Sequence, residues 1–278
     1  MRHKKCTVIT EIGANHQGDI NLAKEMIMTS KLCGADYCKF QKRDIDAYPE
    51  WKDKLYDNEN SFGKTYYEHR KYLEFSLEQH KKLKKYCEEI GINYSCSIWD
   101  LQSAKDIISL NPDYIKIPSA LNNNYELLTY VYSNYKNPVH ISVGMITEKE
   151  REELFKYLED KRDRTIVYWT TSTYPTSFDE LFLSEIKRLK MLFYKVGFSG
   201  HHLGIAIDMC VATIGVNYIE RHFTLDRTQK GTDHSASLEP TGLQKLCRDL
   251  KAAQKALTYK GHDITEGEKK NRKKLRNS

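Results

Sequence analysis

No stretch of this 278-residue chain is apolar for long enough to cross a bilayer, which excludes a helical membrane protein. The basic start leads into an apolar run that ends at Glu11 with no small-residue cleavage site behind it. It reads as a first strand and not a secretory leader, so a cytoplasmic location is the expectation. The seven cysteines are odd in number and form no CxxC pair, which argues against a disulfide framework or a zinc ribbon and for buried thiols. The first strand is followed by no glycine-rich dinucleotide fingerprint. There are only six prolines, and no repeat or low-complexity linker divides the chain. The net charge of +6 sits partly in the tail GEKKNRKKLRNS, and no aromatic residues are interleaved with those lysines. A solvated, frayed end is therefore expected there, with no nucleic-acid partner.

What is present is alternation. Short apolar runs fall at Thr7–Thr10, Tyr37–Gln41, Tyr94–Ser97, Tyr114–Ile117, Val139–Val143, Ile166–Trp169, Tyr194–Gly197 and Asn217–Glu220. Between them lie stretches with helical spacing: Leu22–Cys33, Leu77–Ile90, Leu101–Leu110, Asn124–Tyr132, Thr147–Leu158, Phe178–Leu192, Leu203–Ile214 and Gly242–Leu257. Eight strand–helix units in a chain of this size predict a (β/α)8 barrel, an α/β fold in a single domain over 1–260 with a basic tail at 261–278. An open doubly wound sheet is the structural alternative. The aromatic and charged stretch between the second strand and Phe75 has no clear periodicity and reads as a substrate-covering loop.

In a barrel, reactive groups belong where strands end. Glu11 ends the first strand, Lys39 and Gln41 lie on the second, and Lys116 on the fourth with Ser119 behind it. Ser142, the run Thr170–Tyr174, Ser199 with His201, and Glu220 with His222 follow on strands five to eight. A lysine inside an apolar strand is costly unless it faces a polar site, so Lys39 and Lys116 are informative. Two lysines with several hydroxyls suit an anionic phosphate or carboxylate. Two histidines near carboxylates suit a divalent Lewis acid, and Glu11 suits acid–base work. Four of the ten histidines (His201, His202, His222, His234) fall between Gly197 and Pro240, and ordinary loop histidines are the bland reading of them.

Several ordered fragments are specific together: Glu11–Gly18, Cys38–Gln41, Tyr114–Ser119, Thr171–Pro175, Gly197–His201, Ile219–Asp226, Gly231–His234 and Ser237–Pro240. In that order the chain resembles the sialic acid synthase family, which condenses phosphoenolpyruvate with an N-acetylated sugar aldehyde to a nonulosonic acid. The resemblance implies a manganese-type divalent metal (magnesium or cobalt as substitutes) on His201 and His222. It implies that Lys39, Lys116, Ser119, Ser172 and Ser199 hold phosphoenolpyruvate, and that Glu11, Asn60, Tyr174 and Asp233 line the amino-sugar side. Glu220 is expected beside metal and substrate, with Glu11, Lys39, Lys116 and Glu220 as the catalytic set. A homodimer is the expectation by the same resemblance.

Two departures matter. Where the family's fourth-strand motif carries a glutamate, this chain has Leu121, which can neither accept a proton nor a hydrogen bond. Family members also carry a C-terminal antifreeze-like domain that touches the sugar. The sequence ends at Ser278 without it, so sugar recognition is expected to differ or to come from another protein. A metal-dependent aldolase or isomerase on the same barrel and a non-catalytic sugar-binding subunit are the competing readings.

Overall fold

Side chains along a strand point alternately to its two faces, so a strand in a helix-wrapped barrel carries two chemistries at once. The eight strands here show it. They are β1 (Thr7–Gly13), β2 (Tyr37–Lys42), β3 (Asn93–Ile98), β4 (Ile115–Ile117), β5 (Val139–Ser142), β6 (Thr165–Trp169), β7 (Val196–Gly200) and β8 (Tyr218–His222). Each pairs in parallel with the next, and β8 returns to β1 to close a barrel. This computed structural model describes residues 6–261 and 263–276. The basic residues before Cys6, and His262, Asn277 and Ser278 of the expected tail, lie outside the described residues.

Residues such as Val8, Cys38, Phe40, Cys96, Ile115, Ile141, Phe198 and Ile219 face outward and form the main core under the helices. Each large apolar side chain buried this way contributes about 2 kcal/mol. The inward positions split into layers. Ile9, Tyr114, Ile166 and Tyr168 fill the lower barrel. His140 stacks on Tyr114 there with ring centroids 3.7 Å apart, and its Nδ1 lies 2.9 Å from the Tyr168 hydroxyl. One step further along the same strands the inward residues become Glu11, Lys39, Ser97, Lys116, Ser199, Glu220 and His222. The apolar floor of the barrel thus turns into a polar ceiling within two residues.

The helices are α1 (Ile20–Cys33), α2 (Tyr66–Leu73), α3 (Leu77–Ile90), α4 (Leu101–Leu110), α5 (Tyr125–Asn134), α6 (Glu148–Tyr157), α7 (Glu185–Leu192), α8 (Ala206–Ile214), α9 (Pro240–Ala256) and α10 (Glu266–Leu275). Capping boxes at Ser76–Gln79 and Thr147–Glu150 start α3 and α6, and Gly34 ends α1 in the left-handed conformation its φ of +95° requires. Several segments differ from the sequence reading. The stretch before Phe75 is not wholly irregular: Thr65 and Glu68 cap α2, which buries only His69 and Leu73 and so shows little periodicity. The helix expected from Phe178 begins at Glu185, because Phe182 takes a positive φ of 44°. The tail expected to fray forms α10, capped by Thr265 and Glu268 and solvated on every side. No described helix is long and apolar enough to cross a membrane.

Candidate active site

Register brings the polar ceiling together. Glu11 pairs with Lys39 on β2 and with His222 on β8; Ser97 pairs with Lys116, and Ser199 with Glu220. The cavity above them, about 880 Å3 including its open mouth, is lined by Glu11, Lys39, Lys116, Ser119, Ser172, Tyr174, Ser199, His201, Glu220, His222 and Asp233. These are all but one of the residues to which the family resemblance gives a role in the site. Asn60 does not line this cavity. Its Oδ1 accepts from the Gly231 backbone N–H at 3.1 Å, which ties the covering stretch to the loop after β8.

At the centre are two ammonium groups and two carboxylates, each at most 4 % exposed. Lys39 Nζ contacts the Glu11 carboxylate, donates to Ser97 Oγ at 2.7 Å and lies 3.7 Å from Glu220 Oε2. Lys116 Nζ donates to Glu220 Oε1 at 2.5 Å, and Ser199 Oγ donates to the same oxygen at 3.0 Å. The Tyr168 ring supports Lys116 from below, 4.4 Å from the ammonium. Burial pushes the Glu220 carboxyl up, but the attraction of Lys116 and then Lys39 outweighs it and holds the group at about 2. Lys116 is pushed down to about 8, first by burial; Glu220 resists that shift and Lys39 adds to it. Burial also acts on Lys39, yet Glu11 and Glu220 keep its ammonium favoured.

Beside this cluster the strand ends β4 to β6 form a hydroxyl cradle around Gly144. A Cβ there would lie 2.5 Å from Ser172 Oγ and 2.8 Å from Ser119 Oγ, so only glycine leaves the two hydroxyls room. Ser142 and Thr170 line the same end. Next to the cradle Leu121 turns away from the cavity and packs against the core. Asn122 does the local polar work, donating through Nδ2 to the carbonyls of Ser142 at 3.1 Å and Gly144 at 2.9 Å. The cavity carboxylates therefore come from β1, β8 and the loop beyond β8, and none from the Leu121 position.

His201 and His222 face each other with ring centroids 5.5 Å apart. His201 Nδ1 lies 2.8 Å from the Thr171 carbonyl, to which it donates, leaving Nε2 as a lone-pair donor toward the cavity. Burial, then the neighbouring His222, drives its pKa down to about 3, so the ring is neutral as a ligand must be. His222 Nδ1 and Glu220 Oε2 are buried without a hydrogen-bond partner, and Asp233 Oδ2 lies 3.6 Å from that nitrogen. No group of three or more His, Cys, Asp or Glu in metal-holding arrangement occurs among the described residues. Two facing imidazoles, one with an orphaned nitrogen, fit a divalent ion that draws its other ligands from substrate and water.

His202 and His234 turn out to be structural. His234 Nδ1 bonds the Thr224 hydroxyl at 2.7 Å. His202 belongs to a buried clamp outside the barrel: Arg221, between the site residues Glu220 and His222, pairs with Asp208 and donates to the carbonyls of His202 at 2.6 Å and Gly204 at 2.9 Å. That clamp holds the chain irregular until Ala206, which is why α8 starts later than its apolar spacing predicts. Sequence reasoning missed Arg43, Arg70 and Trp99, which also line the cavity. They come from the covering stretch and from beyond β3, where no strand register points to them.

Residues 26–262 match the NeuB family. The chain is 39% identical over 256 residues to the N-acetylneuraminate-9-phosphate synthase of Mus musculus, covering 91% of this chain and 71% of that protein. It is 33% identical over 261 residues to the N,N'-diacetyllegionaminic acid synthase of Legionella pneumophila, covering 91% and 73%. Among solved structures, the N-acetylneuraminic acid synthetase of Leptospira borgpetersenii, in complex with citrate, superposes with a TM-score of 0.84 at 26% identity. It covers 99% of this chain and 94% of that one.

Proposed function

Because the chain belongs to the NeuB family of sialic acid synthases, we propose that its cavity condenses phosphoenolpyruvate with the open-chain aldehyde of an N-acetylated sugar. The products are a nonulosonic acid and inorganic phosphate. The observation that carries this reading is the meeting of two buried lysines and a glycine-based hydroxyl cradle with a facing pair of histidines. Such a site suits a doubly anionic reactant on one side and a carbonyl oxygen on the other.

The phosphate group fits the cradle of Ser119 and Ser172 around Gly144, and the carboxylate fits the ammonium groups of Lys39 and Lys116. Ser199, bonded to Glu220, stands between them. His201 and His222 would hold a divalent ion, manganese being the best match to two imidazoles and oxygen ligands, which supplies Lewis-acid polarisation of the aldehyde oxygen. Tyr174, its ring tilted against that of His201 with centroids 4.1 Å apart, and Asp233 border the sugar side.

The C3 carbon of phosphoenolpyruvate bonds the aldehyde carbon, and the aldehyde oxygen takes up a proton. The cation left at C2 accepts water, which loses its proton, and the C2–O bond to phosphate breaks with its electron pair leaving on phosphate. Glu220 is ionised, lies beside both lysines and keeps Oε2 without a hydrogen-bond partner, so it is placed to take the proton of that water. Glu11, held by Lys39 and by Gln41 Nε2 at 2.8 Å, serves the aldehyde side. The buried lysines offset the negative charge that the two carboxylates and the substrate bring together.

The test is phosphate release from phosphoenolpyruvate by manganese-loaded protein. Release is expected only when an amino-sugar is present. Turnover of a sugar without phosphoenolpyruvate would replace this reading with an aldolase.

A further inference from the structure

Two polar residues of the ordered sequence fragments have no part in the condensation as described. Asn15 follows β1 in Glu11–Gly18, and Ser237 opens Ser237–Pro240. Both are buried, at 2 % and 3 % exposure, so their hydrogen bonds form away from water. They meet at the base of the loop that leaves β8 and carries Asp233. That base is a parallel bridge between Phe223 and Leu238. The Leu238 N–H donates to the His222 carbonyl at 2.8 Å, and the Thr224 N–H donates to the Leu238 carbonyl at 3.0 Å. Asn15 staples it: Nδ2 donates to the Phe223 carbonyl at 2.8 Å and to Ser237 Oγ at 3.0 Å, one proton to each arm of the loop.

Ser237 passes the constraint on. Its Oγ accepts from Asn15, and its own proton goes to the Asp233 carbonyl at 2.7 Å. The Ser237 N–H donates to the His234 carbonyl at 3.0 Å and closes the short turn His234–Ala236, which the bond between His234 and the Thr224 hydroxyl also steadies. Asp233 is thereby fixed at its backbone with its carboxylate toward His222: Oδ1 accepts from the Thr232 hydroxyl at 2.9 Å, and Oδ2 lies 3.6 Å from His222 Nδ1. Other ties of this loop hold residues 229–231 instead. Gln17 Nε2 donates to the Lys230 carbonyl at 3.2 Å and to Gln229 Oε1 at 3.3 Å, and the Gly231 N–H donates to Asn60.

We propose that Asn15 is a positioning residue for the sugar side of the site: acting through Ser237, it holds Asp233 at the cavity wall beside His222. An aliphatic side chain at position 15 would leave the Phe223 carbonyl and the Ser237 hydroxyl without their donor and loosen the arm that carries Asp233. Among the described residues, the hydrogen bonds of Asn15 and Ser237 reach none of the cradle around Gly144 and neither lysine. Phosphoenolpyruvate is therefore expected not to feel the change. The inference rests on the condensation proposed above.

The test uses the full-length, manganese-loaded protein and a panel of 2-acetamido-hexoses of gluco, manno and galacto configuration, each as the free sugar and as its 6-phosphate. KM is measured for the best acceptor and for phosphoenolpyruvate. Asn15→Ala is expected to raise the KM of the sugar about 5- to 20-fold and to leave that of phosphoenolpyruvate within about twofold of wild type. Ser237→Ala cuts the bond to Asp233 and spares the one to Phe223, and is expected to do the same. Ser237→Thr keeps the hydroxyl and is expected to recover most of the loss. An unchanged sugar KM in Asn15→Ala, an equal rise in the KM of phosphoenolpyruvate, or a Ser237→Thr protein no better than Ser237→Ala overturns the proposal while the condensation stands. Should Asn15→Ala not fold, the two serine variants decide by the same criteria. No wild-type turnover with any sugar refutes the condensation and this inference with it.

Discussion

Replacing Glu220 by glutamine probes the charge balance at the centre of the site. The carboxylate lies 2.5 Å from Lys116 Nζ and 3.7 Å from Lys39 Nζ, all three groups nearly removed from water. Its pKa falls from the ordinary 4.5 to about 2. At about 1.4 kcal/mol per decade of proton affinity, that depression is worth about 3 kcal/mol of folding free energy. A depressed carboxyl contributes stability that is fully present above pH 4.5 and is lost as pH falls toward 2. At pH 7 the glutamine variant therefore lacks all of it, and two ammonium groups share the single carboxylate of Glu11. For a chain of this length about 3 kcal/mol corresponds to a fall in Tm of about 5 °C. The assay is thermal unfolding followed by circular dichroism at pH 7, repeated at lower pH and with millimolar inorganic phosphate. The gap to wild type should narrow below pH 4.5, and phosphate should stabilise the variant more than the wild type, since an anion can then take the place of the carboxylate. A variant melting within about 2 °C of wild type at pH 7 would refute the reasoning, because the buried ammonium groups would not be depending on Glu220.

Other outcomes follow from the same geometry. Gly144→Ala forces a methyl against the hydroxyls of Ser119 and Ser172, and the KM for phosphoenolpyruvate should rise at least about tenfold in a phosphate-release assay while the fold survives. Lys116, shifted down to about 8, should lose its charge above that pH; kcat/KM for phosphoenolpyruvate, which reports the free enzyme, should fall as pH rises through about 8. Manganese should raise the Tm of the wild-type protein and His222→Ala should abolish that rise, a readout independent of turnover. Arg221→Met strands Asp208 in the core without its cation, and should cost about 3–5 kcal/mol, read as a lower Tm.

Most of the barrel could be read from the sequence because its strands obey a single rule. Outward positions are mostly apolar and inward positions change from aromatic to polar at the strand ends. Lys39, Lys116 and Glu220 stand out as charges in apolar runs, and the register then brings them into contact. Parts built on loops were not legible in this way. Arg70 and Arg43 belong to a stretch whose helix buries two residues and whose aromatic rings pack on one another, leaving no period to follow. The Gly144 cradle depends on the approach of two other strand ends, which spacing along one chain cannot report. Arg221 looked like part of the site motif, yet its alternate position on β8 turns it outward, where it fixes the loop that carries His201. Leu121 raised the question of a missing acid, and the fold answers it by turning the leucine to the core and giving Asn122 the polar contacts.

The most direct test of the central claim is a paired measurement of phosphate and 3-deoxy-2-keto acid formed from phosphoenolpyruvate and the panel of amino-sugars, with manganese. The account predicts one keto acid per phosphate, and neither product when sugar or phosphoenolpyruvate is left out. Phosphate released without the sugar, or no release with any sugar from folded, metal-loaded protein, would contradict it.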